Sequence, residues 1–364
     1  MKFVDLQSQF AACESEIRKE IEDVLRTGQF VLGPKGSALE KTLAAFVGAA
    51  HGIGCSSGTD ALLLALMAYG VGPGDEIVTS PFTFVATAEA VALAGARTVF
   101  VDIDPVTYNI DPDRIEESLT RSTRGILPVS LYGQCADMGR ILGIAQEYGL
   151  FVVEDGAQSF GATRSGTSSC GFPHMGVTSF FPSKPLGCYG DGGMVFTSDD
   201  ALAEQVRGLR NHGQWERYRH RVIGINGRLD EIQAAVLLGK FPRFGHEVAE
   251  RSRLGARYSE RLADVVSVPA VAPGNSHVYA QYTVRTEARD ALAAHLNENG
   301  VPTAVHYPIP LHLQEALRGL GYGPGDFPEA EKASREVVSL PMSAHLSEGD
   351  QDEVIRQVRR FFGK

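Results

Sequence analysis

An α/β fold, built on a mainly parallel seven-stranded sheet sandwiched by helices and followed by a smaller C-terminal α+β domain, is what the 364-residue sequence predicts. Three observations carry that expectation. Seven short β-type runs fall between about residues 50 and 200, helical patterns fill several of the gaps, and the runs lack polar alternation. Stretches such as Thr98-Val99-Phe100-Val101 and Phe151-Val152-Val153 read as strands covered on both faces. Repeated strand–helix units then imply parallel neighbours.

In chain order, the strand candidates are 52–55, 76–80, 98–103, 125–131, 151–154, 177–181 and 194–197. Helical patterns occupy 59–69, 86–94, 111–119 and 138–148. The last two strand candidates follow each other closely, which predicts one antiparallel member. The Ser/Gly/Thr-rich piece 161–171 is the longest loop. After residue 245 the rhythm changes to a helix over 247–262, a strand over 278–284 and a helix over 289–299 capped by Gly300. Two more helical patterns follow, 329–338 and 348–362. The expected division is therefore 1–245 for the large domain and 246–364 for the small one.

Composition narrows the function. Hydrophobic residues are 43% and charged residues 21%, which supports a packed core rather than disorder. Thirty-four Lys+Arg against 44 Asp+Glu give a net charge of −10, which argues against binding nucleic acid through its phosphate backbone. The longest apolar run, 61–69, is too short to span a bilayer, and Asp5 comes too early for a signal peptide. Five scattered cysteines without a CxxC pair suit reduced thiols in a cytoplasmic protein. The ten histidines show no spacing of metal ligands, so no metal is expected. Neither common nucleotide-binding glycine loop is present.

Three segments carry chemistry. Cys55-Ser56-Ser57-Gly58-Thr59-Asp60 follows a strand and opens an apolar helix, where unpaired amides can meet an anion or the hydroxyls can simply cap the helix. Should a phosphate bind there, the Asp60 carboxylate must point away and leave its amide as the donor. Phe151-Val152-Val153-Glu154-Asp155-Gly156 ends an apolar strand in two acids at the sheet edge where ligands sit. Asp155 there can hold a ring nitrogen protonated, or be an ordinary strand-end acid. In Ser179-Phe180-Phe181-Pro182-Ser183-Lys184-Pro185, Lys184 is the only cation from Ser165 to Glu204. Desolvation would free its amine to condense with a carbonyl, although a lysine snorkelling at a loop edge fits the same pattern.

Taken together, these segments resemble the nucleotide-sugar aminotransferases, fold-type-I enzymes that use pyridoxal 5'-phosphate (PLP). The similarity runs from FVDLQ through Gly28-Gln29-Phe30-Val31-Leu32-Gly33, SSGTDAL, PFTFVATAEAV, EDGAQSFGA and SFFPSKPLGCYGDGG to NGRLDEIQAA, TAVHYPIPLH and SLPM. The resemblance implies that Lys184 carries the cofactor and moves the proton, that Asp155 pairs with the pyridine nitrogen and that Gln158 lies by the 3-hydroxyl. It implies that Phe84 stacks on the ring and that Thr59, Asp60 and Ser179 form a phosphate cup. Asn226 would reach that phosphate from a neighbouring subunit, hence a homodimer with shared sites. Phe84 as plain core and Asn226 as the cap of a helix over 229–238 stay open.

PVSLYGQCAD and the lysine segment pull towards the branch that aminates a UDP-linked 3-keto-N-acetyl-hexuronic acid at C3, with L-glutamate leaving as 2-oxoglutarate, for surface polysaccharide such as O-antigen. By that resemblance Arg228 crosses from the adjacent subunit to the uronate carboxylate, which a guanidinium fork suits; pairing with Asp230 or Glu231 is the alternative. Gly28, Phe30, Ser183, His306 and Tyr307 would line the nucleotide-sugar cleft, with Phe30 standing where the branch often has tyrosine. Two other classes stay open: an aminotransferase of a neutral 3- or 4-keto dTDP- or UDP-sugar, and a non-catalytic PLP-binding regulatory protein.

Overall fold

The computed structural model describes residues 1–172 and 174–364. The seven expected strands form one sheet, in the order His51–Cys55, Gly193–Thr197, Met175–Ser179, Phe151–Asp155, Thr123–Ile126, Glu76–Thr79, Arg97–Phe100. Gly193–Thr197 runs antiparallel to both neighbours, as its short connection predicts, and the remaining pairings are parallel. Several strands are shorter than expected. Pro81, Pro128 and Pro182 follow within a few residues of their strands' ends, and a residue without an amide cannot extend a ladder.

Both faces of the sheet are covered. On one side Leu64, Leu66, Ile77, Val91, Val153, Val177 and Val195 belong to a single buried cluster that includes the apolar helix Gly58–Ala68. On the other, Leu39, Leu43, Phe160, Phe196, Leu237 and Phe244 pack together. Two helices contribute there that the sequence reading did not assign, Leu6–Thr27 and Pro34–Val47.

Three expectations need correction. The helices expected over 229–238 and 247–262 are one 32-residue helix, Glu231–Leu262, which continues through Pro242. Pro242 lies on its exposed face, where the carbonyl left without a donor can bond water. The division placed at 245/246 falls within this helix. The helix expected over 329–338 stops at Glu336, and Val337–Leu340 is a strand paired antiparallel with Tyr282–Arg285. The run Val337-Val338-Ser339-Leu340 is β-prone and fully buried, so packing in the cluster of Leu254, Tyr258, Tyr282, Leu292, Val338 and Val354 outweighs helical periodicity. The pattern over 111–119 is a 3-10 turn, Pro112–Arg114, followed by a single α-turn, Ile115–Ser118.

Because six strands are parallel, their carboxyl ends share one edge. Cys55, Thr79, Ile126, Asp155 and Ser179 all end strands there.

Candidate active site

A cavity of about 500 Å³ opens at that edge. Lys184, Asp155, Gln158, Thr59, Phe84, Ser179, Ser183, His306 and Tyr307 line it, so nine of the expected site residues converge on one space. His306 and Tyr307 arrive from a segment more than a hundred residues away, which no local spacing reveals.

Strand alternation separates the two acids of Phe151–Asp155. Glu154 turns away from the cavity and accepts from Ser130 Oγ at 2.6 Å, Ser169 Oγ at 3.0 Å and the Cys170 amide at 2.7 Å, tying the 161–171 loop to the sheet. Asp155 turns in. Its Oδ1 accepts from the Ala157 amide at 3.1 Å and its Oδ2 from Thr87 Oγ1 at 3.0 Å. Burial raises the Asp155 pKa above the ordinary carboxylate value, while the Ala157 amide, Lys184 and Thr87 oppose it. A buried carboxylate of this kind calls for a cation. Thr87 was not among the expected site residues; its position in the helix Ala86–Leu93, just after Phe84, is the signal that could have placed it.

Lys184 sits on the bend that follows Met175–Ser179, where its amide bonds the Phe181 carbonyl at 2.9 Å. Burial lowers the ammonium's pKa below the usual lysine value, and Asp155 partly offsets this. Such an amine is more available as a nucleophile or base than one on the surface.

Ser57 caps Gly58–Ala68: its Oγ accepts from the Asp60 amide at 3.0 Å, and its carbonyl accepts from Ala61. The Gly58 and Thr59 amides, in the helix's first turn, have no intrahelical partner, and both residues line the cavity. Gly58 has no room for a side chain, since an added Cβ would lie 2.6 Å from Ser179 Cβ. Asp60 is off the cavity wall; its carboxylate accepts from Ser56 Oγ, and its amide is already engaged by the cap. The Asp60 amide expected to meet a phosphate is thus bonded to Ser57 within this chain, while Gly58 and Thr59 stand on the cavity wall.

Gln158 is held at both ends of its amide, accepting from the Tyr132 amide at 2.9 Å and donating to Tyr307 Oη at 3.0 Å. Phe84 is half-exposed to the cavity rather than core, with its ring 6.1 Å from that of Tyr307. His306 Nδ1 lies 2.9 Å from Ser339 Oγ, and burial, with Lys184 nearby, lowers its pKa to about 4. The histidine is neutral at neutral pH. Asp191 and Gln281 complete the wall and were not foreseen.

Gly28, Phe30, Asn226 and Arg228 lie outside this cavity. Three of them are fixed through backbone to other segments: the Glu231 amide donates to the Phe30 carbonyl at 3.0 Å, Asn226 bridges Asn211, and Arg228 bridges Cys55, next to the Ser56 amide that donates to the Gly227 carbonyl at 3.1 Å. Arg228 Nη1 donates to Asn211 Oδ1 at 2.9 Å. Glu231 is committed elsewhere, accepting from the Gly33, Lys35 and Gly36 amides at the start of Pro34–Val47. Asp230, not Asn226, caps the long helix.

The donor set fits a phosphorylated pyridine aldehyde. Free amides at a helix start suit a phosphate, a buried carboxylate suits a protonated ring nitrogen, a depressed lysine suits a carbonyl carbon, and Phe84 offers a face for the ring. Among the described residues no His/Cys/Asp/Glu cluster has the arrangement of a metal site, and no helix is long and apolar enough to cross a membrane.

Comparison with known proteins agrees. The family described as DegT/DnrJ/EryC1/StrS aminotransferases matches residues 12–359. The UDP-2-acetamido-2-deoxy-3-oxo-D-glucuronate aminotransferase of Pseudomonas aeruginosa is 51% identical over 347 residues, covering 95% of this chain and 96% of that one. The UDP-N-acetyl-3-dehydro-alpha-D-glucosamine 3-aminotransferase of Acidithiobacillus ferrooxidans is 44% identical, over 98% of this chain and 96% of its own. A crystal structure of an aminotransferase of this family from Brucella abortus superimposes with a TM-score of 0.96 at 44% identity, covering 100% of both chains.

Proposed function

The chain belongs to the DegT/DnrJ/EryC1/StrS aminotransferase family, and from that premise we propose that it moves the amino group of L-glutamate to C3 of a UDP-linked 3-keto-N-acetyl-hexuronic acid. The family's cofactor is PLP. When bound, PLP supplies an electron sink and carries the amino group between the two substrates. Everything else is the work of this chain's residues.

Lys184 would hold the cofactor, and its amine, of lowered pKa, would carry the proton that the transfer requires. Asp155, oriented by Thr87 and the Ala157 amide, keeps a cationic ring nitrogen charged. The Gly58 and Thr59 amides, the Thr59 hydroxyl and Ser179 hold the phosphate. Phe84 covers one ring face, and Gln158, fixed by Tyr132 and Tyr307, stands at the ring's hydroxyl edge. Ser183, His306 and Tyr307 face the sugar, and neutral His306 neither repels Lys184 nor competes for its proton. The observation that carries this reading is the opposition of Lys184 and Asp155 across one buried space, each shifting the other's ionisation.

Asn226 and Arg228 act from a second copy. Phe30, Val31 and Leu32, each about half-exposed, together with Ile223 at 89% exposure, give that copy an apolar strip to cover. Arg228 then reads the uronate carboxylate and Asn226 the cofactor phosphate, with Gly28 and Phe30 at the nucleotide side. The reading places the enzyme in the cytoplasm as a homodimer serving surface polysaccharide such as O-antigen, with residues 1–245 and 246–364 as its large and small domains. The comparison that tests it offers the enzyme L-glutamate with the keto-uronate and with its neutral 6-hydroxymethyl analogue. Preference for the uronate is expected; preference for the neutral sugar overturns the substrate, and no amination of either overturns catalysis.

A further inference from the structure

Beyond Glu231 at its start, three charged side chains that the reaction scheme does not use are buried on the long helix: Lys240, Glu247 and Arg251, at 2%, 6% and 3% exposure. Their spacing, i, i+7 and i+11, puts them on one stripe. The stripe faces the back of the bend that carries Lys184. Lys240 Nζ donates to the Gly187 carbonyl at the end of that bend. Glu247 Oε2 accepts from Gln9 Nε2 at 2.9 Å, and its Oε1 lies 3.7 Å from His345 Nε2. Arg251 Nη1 donates to the Tyr279 carbonyl at 3.2 Å, two residues before Gln281 enters the cavity wall.

Between stripe and bend lies a small space of about 10 Å³, with Lys184, Gln9, Glu247, Arg251 and His345 on its wall. Three of those residues carry a buried polar atom without a partner: Gln9 Oε1, Arg251 Nε and His345 Nε2. One acceptor and one donor on different elements, meeting at a polar space the size of one water, are the conditions under which a buried water is held.

We propose that the space holds one ordered water bonded to Gln9 Oε1 and Arg251 Nε, and that the water and the stripe together form a fixed floor under Pro182 and Lys184, anchored to the bend by Lys240 at the Gly187 carbonyl, making Gln9, Glu247 and Arg251 positioning residues for amino transfer. Lys184 has a long flexible stem, so its Nζ is placed by the backbone beneath it. That backbone is irregular, held by turn and loop bonds such as Lys184 to Phe181 at 2.9 Å, Cys188 to Phe180 at 2.7 Å and Phe180 to Gly192 at 2.7 Å. An amine that must meet one carbon needs a firmer base than a few turn bonds.

The inference rests on Lys184 being the cofactor lysine, and the experiment separates the two. Gln9→Met removes both the acceptor for the water and the donor to Glu247, at little cost in volume; Glu247→Gln removes the buried anion while keeping Gln9. Borohydride reduction of the PLP-loaded enzyme and peptide mapping first locate the cofactor, and a label on another lysine breaks the functional reading. With the label on Lys184, Gln9→Met is expected to lower kcat of the glutamate half-reaction about tenfold, leaving KM for glutamate within about twofold. The rate at which the cofactor-free protein takes up PLP, followed by visible absorbance, should slow to match. A high-resolution map of the wild type should show the water. An empty pocket, wild-type rates in Gln9→Met, or equal changes in kcat and KM would each overturn the support while leaving Lys184 its role. Glu247→Gln should slow uptake at least as much; faster uptake would overturn it too.

Discussion

Two groups of residues assigned to one reaction stand differently in this chain. Lys184, Asp155, Gln158, Phe84, His306 and Tyr307 meet in a cavity at the carboxyl edge of the sheet, oriented by bonds within the same chain. Gly28, Phe30, Asn226 and Arg228 lie outside it: Arg228 is tied to the backbone at Cys55, Asn226 to Asn211 and Phe30 to Glu231, yet the arginine side chain turns to Asn211 and Phe30 is half-exposed. The first group is a finished piece of chemistry. The second meets no part of the cavity within this chain, and on the proposed reading a second copy of the chain supplies one. The contrast teaches that one chain brings together the residues proposed for reaction type, whereas those proposed for substrate choice depend on assembly.

Substitutions break the two groups in different ways. The largest effect belongs to Lys184→Ala, expected to slow the glutamate half-reaction roughly 10³- to 10⁴-fold, read by single-turnover absorbance. PLP contacts elsewhere remain, so binding by phosphate and ring should survive. Asp155→Ala comes next, on the order of 10²-fold or more, because a ring nitrogen that loses its buried anion deprotonates. Near-normal rates in that variant would move the acid's role to another residue. Arg228→Ala should cost about 2–4 kcal/mol, roughly 30- to 1000-fold in kcat/KM, on the keto-uronate alone. The glutamate half-reaction and the neutral analogue should be nearly untouched, and equal losses on both sugars would remove the carboxylate role.

Acid should reach the interior group and spare the peripheral one. Burial holds His306 at about 4 and His277 at about 3, both below the ordinary value of 6.5. A histidine with a depressed folded pKa takes its proton first in the unfolded chain. Its contribution to stability is therefore complete above pH 6.5 and is lost as pH falls towards 4. Thermal unfolding midpoints should drop across that window, less steeply in His306→Gln and with unchanged slope in Arg228→Ala.

Asp155 and Lys184 were legible because each sits in a short stretch whose composition already describes its surroundings, whereas Gln158, Phe84, His306 and Tyr307 were reached only through the family resemblance. An apolar strand ending in acid placed Asp155 at the ligand edge, and a lone lysine among prolines, aromatics and glycines marked Lys184. The same reading could not say that Glu154, its neighbour, is structural until strand phase was fixed. Tyr307 and Thr87 become meaningful only through Gln158 and Asp155, contacts set by sheet order rather than spacing. The fold was readable wherever periodicity and burial agreed. It failed at Val337–Leu340, where a buried strand continues a helical pattern, and at Pro242, where a helix runs on past the residue that usually stops one.

The claim that one group completes the other across two copies is tested most directly by hybrid dimers. Lys184→Ala and Arg228→Ala subunits, each nearly inactive on the keto-uronate alone, are mixed under conditions that exchange subunits. If Arg228 serves the partner's cavity, every hybrid has one site with both defects and one with neither. The mixture should then recover about a quarter of wild-type activity, the share of intact sites after random pairing. Hybrids that form and recover nothing would mean that Arg228 serves the cavity of its own chain, and the shared site would be wrong.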